Sequence, residues 1–113
     1  MTNNGMNFAI STILGWTCIC EEHGRIRGNP CGLESARTGI LDYCNDLNSM
    51  HGAMCSITGR VDQAKFGDFL VGVINRDRKG EFRFLVATPF HMAHATAYQL
   101  AEAFLLTMGK WEE

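Results

Sequence analysis

Three cysteines and one histidine lie within the fourteen-residue stretch CICEEHGRIRGNPC, which runs from Cys18 to Cys31. Cys18, Cys20, His23 and Cys31 are ligand types that a tetrahedral zinc site accepts. The C-x-C spacing disfavours zinc, because structural sites draw ligand pairs from a C-x2-C turn, whereas alternate strand residues are about 6.6 Å apart. We therefore expect neither a metal nor a cofactor, and a zinc site through these four residues is kept as an alternative.

Cys31 is the best candidate for a nucleophile. It follows Pro30 in a turn, and a helix that began there would favour the reactive thiolate through its unpaired N–H groups and its dipole. His23 lies across the preceding turn and is the nearest base in the sequence. A small cysteine-dependent enzyme or redox protein using Cys31 with His23 is thus a second alternative. The other four cysteines continue apolar stripes and are expected in the core, namely Cys18, Cys20, Cys44 and Cys55.

Few other residues suggest chemistry. His91 and His94 are three apart, a spacing that suits a metal or acid–base pair on one helix face and equally suits surface or capping histidines. The sequence contains no G-x-S-x-G elbow, Walker loop, glycine-rich dinucleotide fingerprint or H-E-x-x-H helix. The sequence therefore leaves open whether the protein is an enzyme and favours the interpretation that it is not.

The bulk composition bounds the class of protein. The chain has 113 residues, of which 46% are apolar and 19% charged, which predicts one globular domain over 7–113 after a frayed start at 1–6. Its net charge of −2 comes without a basic cluster, so we expect no nucleic-acid partner. The apolar run over 8–20 is too short to span a bilayer and lacks the flanks of a signal peptide, so we expect no membrane partner. Five cysteines, an odd number, favour the reducing cytoplasm.

The apolar periods predict the elements. From Phe8 to Cys20 the even positions form a period-2 stripe typical of a strand, with a helical start of the first few residues left open, and a turn at EEHGR returns the chain through 25–27. A helix is expected from Asn29 or Ser35 to about Gly52. Period two returns over 54–61, and FLVGVINRDRKGEFRFLVA reads as a hairpin turning at 77–80. The segment 62–69 is left open, and a last helix is expected over 88–108.

The resulting order, β-β-α-β-β-β-α, predicts an α+β fold: a single antiparallel sheet of about five strands with two helices packed on one face. This order is similar to that of the roadblock, longin and profilin-like group. The resemblance is one of topology, and no motif in EFRFLVATPFHMAHATAYQLAEAF adds to it.

Excess apolar surface predicts a partner. The expected strand over 69–74 is apolar on both faces, and the apolar arc of the last helix is wider than one packing face, so a second copy of the chain is the simplest cover. The expected interface residues are Phe69, Val71, Val73, Tyr98, Leu105 and Leu106. The sequence thus predicts a non-catalytic protein-binding, regulatory or scaffold module that acts as a homodimer and binds a further protein.

Overall fold

The computed structural model describes residues 1–22, 25–29, 38–77 and 93–112, and these residues are mostly helical. In chain order the elements are α1 (Asn3–Ile13), β1 (Thr17–Glu22), β2 (Arg25–Asn29), β3 (Thr38–Gly39), α2 (Leu47–Met54), α3 (Arg60–Asp77) and α4 (Ala97–Thr107).

Helix α4 lies at the centre of the described core. It packs along α3 and also contacts α1 and α2. The core consists of sixteen buried residues: Met6, Ile10, Tyr43, Cys44, Met50, Ala53, Ile57, Phe66, Leu70, Ile74, Ala95, Leu100, Ala101, Ala103, Phe104 and Leu105. The wide apolar arc of α4 is therefore covered within the chain, by three helices on different sides.

Helix α1 has well-formed ends. At its start the Thr2 hydroxyl accepts a hydrogen bond from the Gly5 N–H at 3.0 Å. At its end Gly15 adopts a φ of 93°. The Gly15 N–H donates to the backbone carbonyl oxygen of Thr12 at 3.1 Å, and the Trp16 N–H donates to the backbone carbonyl oxygen of Ser11 at 3.0 Å. This pair of bonds is a Schellman motif, which a glycine in the left-handed region permits.

Helix α4 begins with a capping box. The Thr96 hydroxyl accepts from the Gln99 N–H at 3.2 Å, and the Gln99 side-chain oxygen accepts from the Thr96 N–H at 3.0 Å. The Gln99 amide nitrogen also donates to the Asp77 carboxylate at 3.0 Å. The start of α4 is thereby tied to the end of α3.

The three strands form a small antiparallel ribbon in the order β1-β2-β3. The β1–β2 pairing is irregular between Thr17 and Cys20, where the register shifts. Gly28 in β2 is buried, and a Cβ added there would lie 3.0 Å from the Ile19 side chain, so a larger residue would require Ile19 to shift by a few tenths of an ångström.

The expected α+β fold with a sheet of about five strands is wrong. Its first strand was expected from Phe8, but α1 occupies this segment up to Ile13. Met6 and Ile10 are four residues apart and therefore share a helix face, and both are fully buried, whereas Phe8 is 44% exposed. The first turn of α1 also takes up Asn3 to Met6, within the segment expected to be frayed.

The expected strands over 54–61 and 69–74 are wrong as well. Residues 60–77 form α3, which includes the segment 62–69 that the sequence left open. Its buried residues, Phe66, Leu70, Val73 and Ile74, recur at helical spacing on one face. The apolar run is thus one helix face and not two strand faces. The turn at 78–80 and the last expected strand lie outside the described residues.

The first expected helix is also misplaced. Residues 30–37 lie outside the described residues, Thr38–Gly39 pairs with β2, and α2 begins only at Leu47. It begins there because the Asp46 carboxylate accepts hydrogen bonds from the Asn48 N–H at 3.0 Å and the Ser49 hydroxyl at 2.8 Å. The bonds from Ser49 also hold the pKa of Asp46 below its usual value. Gly52, the expected terminator, lies inside α2.

The closing helix was expected to start at about residue 88. In the structure α4 starts at Ala97, and residues 88–92 lie outside the described residues. The similarity in element order to the roadblock, longin and profilin-like group no longer holds, because the order itself is different. Within the described ranges, none of the helices combines the length and apolarity needed to cross a membrane.

Candidate functional site

The outward side of α1 is unusual for a surface helix. We define the α1 face as its exposed and half-exposed residues, which are Asn3, Asn4, Gly5, Phe8, Ala9, Thr12 and Ile13. Residues 1–20 contain no Asp, Glu, Lys, Arg or His, so this face carries no charged side chain. Surface helices ordinarily place charged residues opposite their buried stripe. Depletion of charge around an aromatic residue is instead the compositional mark of the centre of a protein–protein interface.

A cavity of about 410 Å3 opens beside Phe8. We call it the α1 groove, and its lining residues are Met1, Gly5, Phe8, Ala9, Thr12, Ile13, Lys110 and Glu112. Met1 and residues along the length of α1 form its wall, and the two charged residues come from the segment that follows α4. The groove therefore combines an apolar interior with a polar border, as binding sites for apolar side chains do.

The border of the groove is positioned by the end of α4. Gly109 adopts a φ of 70°, its N–H donates to the Leu106 oxygen at 3.2 Å, and the Lys110 N–H donates to the Leu105 oxygen at 2.9 Å. This is a second Schellman motif, and it turns the chain sharply out of the helix. Lys110 is thus brought to the groove by backbone geometry.

The inner side of α1 is anchored by a buried amide. The Asn7 side chain donates to the Asp42 carboxylate at 3.0 Å and accepts from the Cys44 N–H at 3.2 Å. Asn7 is 7% exposed, so its amide lies largely out of water, where an unpaired amide would be costly. The Ser11 hydroxyl donates to the backbone carbonyl oxygen of Asn7 at 2.7 Å, within α1. The two bonds of the Asn7 side chain fix α1 against the segment that precedes α2 and hold the α1 face in one orientation.

Cys44 belongs to this anchor. Its side chain is buried, as the sequence predicts, and its thiol lies 3.7 Å from the Asn3 carbonyl oxygen. Burial first, and then the charge of Asp42, raise the pKa of the Cys44 thiol to about 11. A protonated, buried thiol is a packing group and not a nucleophile.

Of the six residues expected to form the interface, some are exposed in the structure and others are buried. Phe69 and Tyr98 are 38% and 37% exposed, whereas Val73 and Leu105 are buried at 4% and 0%. Val71 and Leu106 are half-buried. We carry forward only Phe69 and Tyr98 as accessible candidates, since a residue packed in the core of its own chain offers no contact surface.

The surroundings of Phe69 differ from those of Phe8. Helix α3 exposes charged residues along its length, which are Arg60, Asp62, Lys65, Asp68, Arg76 and Asp77. Phe69 therefore stands among charges, and scattered apolar residues of this kind are normal on a protein surface. The α1 face is the better binding surface of the two, because burying it removes no charge from water.

The cysteine and histidine candidates are placed only in part. Cys18 and Cys20 lie in β1, while His23 and Cys31 lie outside the described residues, so the zinc and nucleophile hypotheses remain predictions. His91 is likewise outside them, and His94 is exposed ahead of α4. In the part of the chain that the structure describes, no three His, Cys, Asp or Glu side chains are grouped to hold a metal ion.

Cys55 was expected in the core and is exposed. The reason is that 54–61 is not a strand: Cys55 follows the end of α2, and Ile57 turns inward in its place with 7% exposure. Cys55 lies in an open cavity of about 590 Å3 that His51 also lines. Its thiol donates to the backbone oxygen of His51 at 3.4 Å and so is not directed at the imidazole ring. A thiol held in this way lacks the paired base that activates a nucleophile.

No protein-family model matches the chain, and neither a curated protein nor a solved structure matches it. Fold and surface together therefore define the class: a small, mostly helical domain that presents a charge-free helix face beside an apolar groove.

Proposed function

We propose that this chain is a non-catalytic protein-binding module and that the α1 face, with its groove, is the binding surface. The observation that carries the proposal is the combination at one place of an exposed Phe8, an adjoining cavity and a helix without charges. Any one of the three is common on protein surfaces, whereas aromatic content, concavity and charge depletion together are typical of an interface centre.

The energetics support binding of an apolar side chain. Covering the exposed part of a phenylalanine contributes on the order of 1–2 kcal/mol, and filling the neighbouring groove adds apolar area. None of this gain is offset by removing a formal charge from water, which on α3 would be required around Phe69.

The anchoring of α1 supports the proposal further. Because the Asn7 side chain holds the helix from its inner side, binding at the outer side requires little ordering of the backbone. A rigid surface with one aromatic anchor is the arrangement in which a small contact yields useful affinity. We place the module in the cytoplasm, on the odd number of cysteines.

Site-specific photo-crosslinking tests the proposal with a matched control. A photoreactive phenylalanine analogue is placed at position 8 or at position 69, in the full chain in its own cell. Both positions are phenylalanines of similar exposure, 44% and 38%, on different helices. We expect a covalent adduct with a protein from position 8 and none above background from position 69. Adducts from neither position would refute the proposal, and adducts from position 69 alone would move the binding surface to α3.

A further inference from the structure

The border of the α1 groove carries one charge of each sign. Lys110 and Glu112 are two residues apart, both are exposed and both line the groove. Among the described residues no ion pair involves either of them, in contrast to Arg76, which pairs with Asp77 and Glu102. Within the described residues, two opposite charges without an ion-pair partner thus lie beside a helix face that carries no charged side chain.

We infer that the protein seated on the α1 groove is a second copy of this chain, related by a two-fold axis that exchanges Lys110 and Glu112. The inference presupposes the proposed role of α1 as the binding surface. A two-fold interface uses the same patch on both subunits, so the patch must be complementary to itself. With the axis between the two residues, Lys110 faces Glu112 of the partner subunit, and the reverse contact forms with it.

The apolar part of the patch meets the same requirement. Each subunit supplies a protruding Phe8 and a groove beside it, so the two copies offer each other the insert that each groove lacks. Phe8 and the groove wall lie on the same helix, which keeps both inside one patch.

Charge favours this face over others for self-association. Two copies of a chain with a net charge of −2 repel each other, and like charges brought directly together cost affinity. On the α1 face no like charges meet, because the helix has none and the border charges pair across the axis. The exposed residues of α3, which include three acidic and three basic side chains, offer no such neutral area.

Sedimentation equilibrium of the full chain tests the inference. We expect a concentration-dependent dimer. F8S should weaken it by about a hundredfold, because two copies of the anchor are lost, and F69S, the matched control, should leave it within about threefold. Thermal unfolding by circular dichroism verifies that both variants fold.

The border charges give an independent readout that does not endanger folding. K110E and E112K should each weaken the dimer by about tenfold, because two exposed pairs turn into repulsions. The double variant K110E/E112K restores opposite charges across the axis and should return to within about threefold of the wild type. The differences should shrink in 1 M salt.

Three results would overturn the inference. A monomer at all concentrations, with position 8 still crosslinking to a different protein, would refute the second copy and leave the proposed function intact. A dimer insensitive to F8S and weakened by F69S would overturn both. Single charge variants that the double variant does not rescue would refute the exchange of Lys110 and Glu112.

Discussion

The pair formed by Arg76 and Glu102 is the most sensitive test of how α3 packs on α4. Glu102 is 2% exposed, and its two carboxylate oxygens accept from the two terminal nitrogens of Arg76, each at 2.7 Å. The same guanidinium donates to Asp77 at 3.1 Å. The hydrogen bond to Glu102 raises the pKa of Arg76 above its usual value.

The cost of breaking this pair follows from the unequal burial of its members. Removing the cation of a buried pair costs about 3–5 kcal/mol, because the remaining carboxylate stays out of water. The Arg76 side chain is 55% exposed, so water reaches the vacated position. We therefore expect R76M to cost about 2–3 kcal/mol, at or below the lower limit of that range.

The reverse substitution should be milder. E102Q leaves a guanidinium that is already half in water and an amide that still accepts one hydrogen bond, so we expect a cost of about 1 kcal/mol. R76M/E102Q should cost about 1.5 kcal/mol, less than the sum of the single variants, with a coupling of about 2 kcal/mol. For a domain of this size such a coupling is a substantial part of the total stability.

Urea unfolding followed by circular dichroism at pH 7 measures all three variants. R60M is the matched control, since Arg60 is exposed on the same helix and its loss should change stability by less than about 0.5 kcal/mol. Additive single effects, or an R76M cost below about 0.5 kcal/mol, would refute the packing of Glu102 against α3.

Three further predictions concern α1 and its anchor. Ile10 is fully buried and Phe8 is not, so I10A should lower the free energy of unfolding by about 3 kcal/mol and F8A by less than about 1 kcal/mol at low protein concentration. Equal costs in urea unfolding would favour a strand over a helix for this segment. At pH 8 iodoacetamide should modify Cys55 at least about a hundredfold faster than Cys44, whose raised pKa of about 11 leaves little thiolate, and similar rates in peptide mapping would show that Cys44 is accessible. Because this pKa lies above the value of 9.0 for an ordinary thiol, the stability associated with Cys44 is complete below pH 9 and is lost as the pH rises towards 11. The urea concentration at the unfolding midpoint should therefore fall over this pH window, and it should fall less steeply in C44A.

The strand prediction at α1 is wrong because the same apolar residues fit both the strand period and the helix period. Phe8, Ile10 and Leu14 alternate as in a strand, yet Ile10 is also four residues from both Met6 and Leu14, as on a helix face. The segment also contains Asn, Gly, Ser and Thr, which are poor helix formers, so local propensity favours the strand. Contacts with α4 decide in favour of the helix, and those contacts are not visible locally.

At α3 the sequence contains the helical spacing of apolar residues, but the spacing extends over two segments that we interpret separately. FLVGVI alone favours a strand, and the polar segment before it favours no element. Joined, the two place Phe66, Leu70, Val73 and Ile74 on one helical face. Likewise Asp46 followed by Ser49 is a legible helix start, which predicts α2 better than Asn29 does.

The sequence predicts the lack of charge on the candidate surface, but it does not predict which residues form that surface. The absence of charge over the first twenty residues is plain in the sequence. Which of these residues face outward depends on the period, and a strand would have placed Phe8 on the same side as Ile10. The groove depends in addition on the turn after Gly109, which brings Lys110 back to α1 from the other end of the chain.

The stability of α1 and its exposed surface are physically linked. An eleven-residue helix of such composition is marginal by itself, so it forms because Met6 and Ile10 pack and Asn7 is bonded in the interior. Surface helices usually gain further stability and solubility from charged pairs on their outer side, and α1 has none. An outer face that lacks stabilising charge pairs and exposes a phenylalanine is a liability for an isolated chain. Covering it with a second copy removes the liability and, since the inner side already supplies the anchoring, requires no change in the fold.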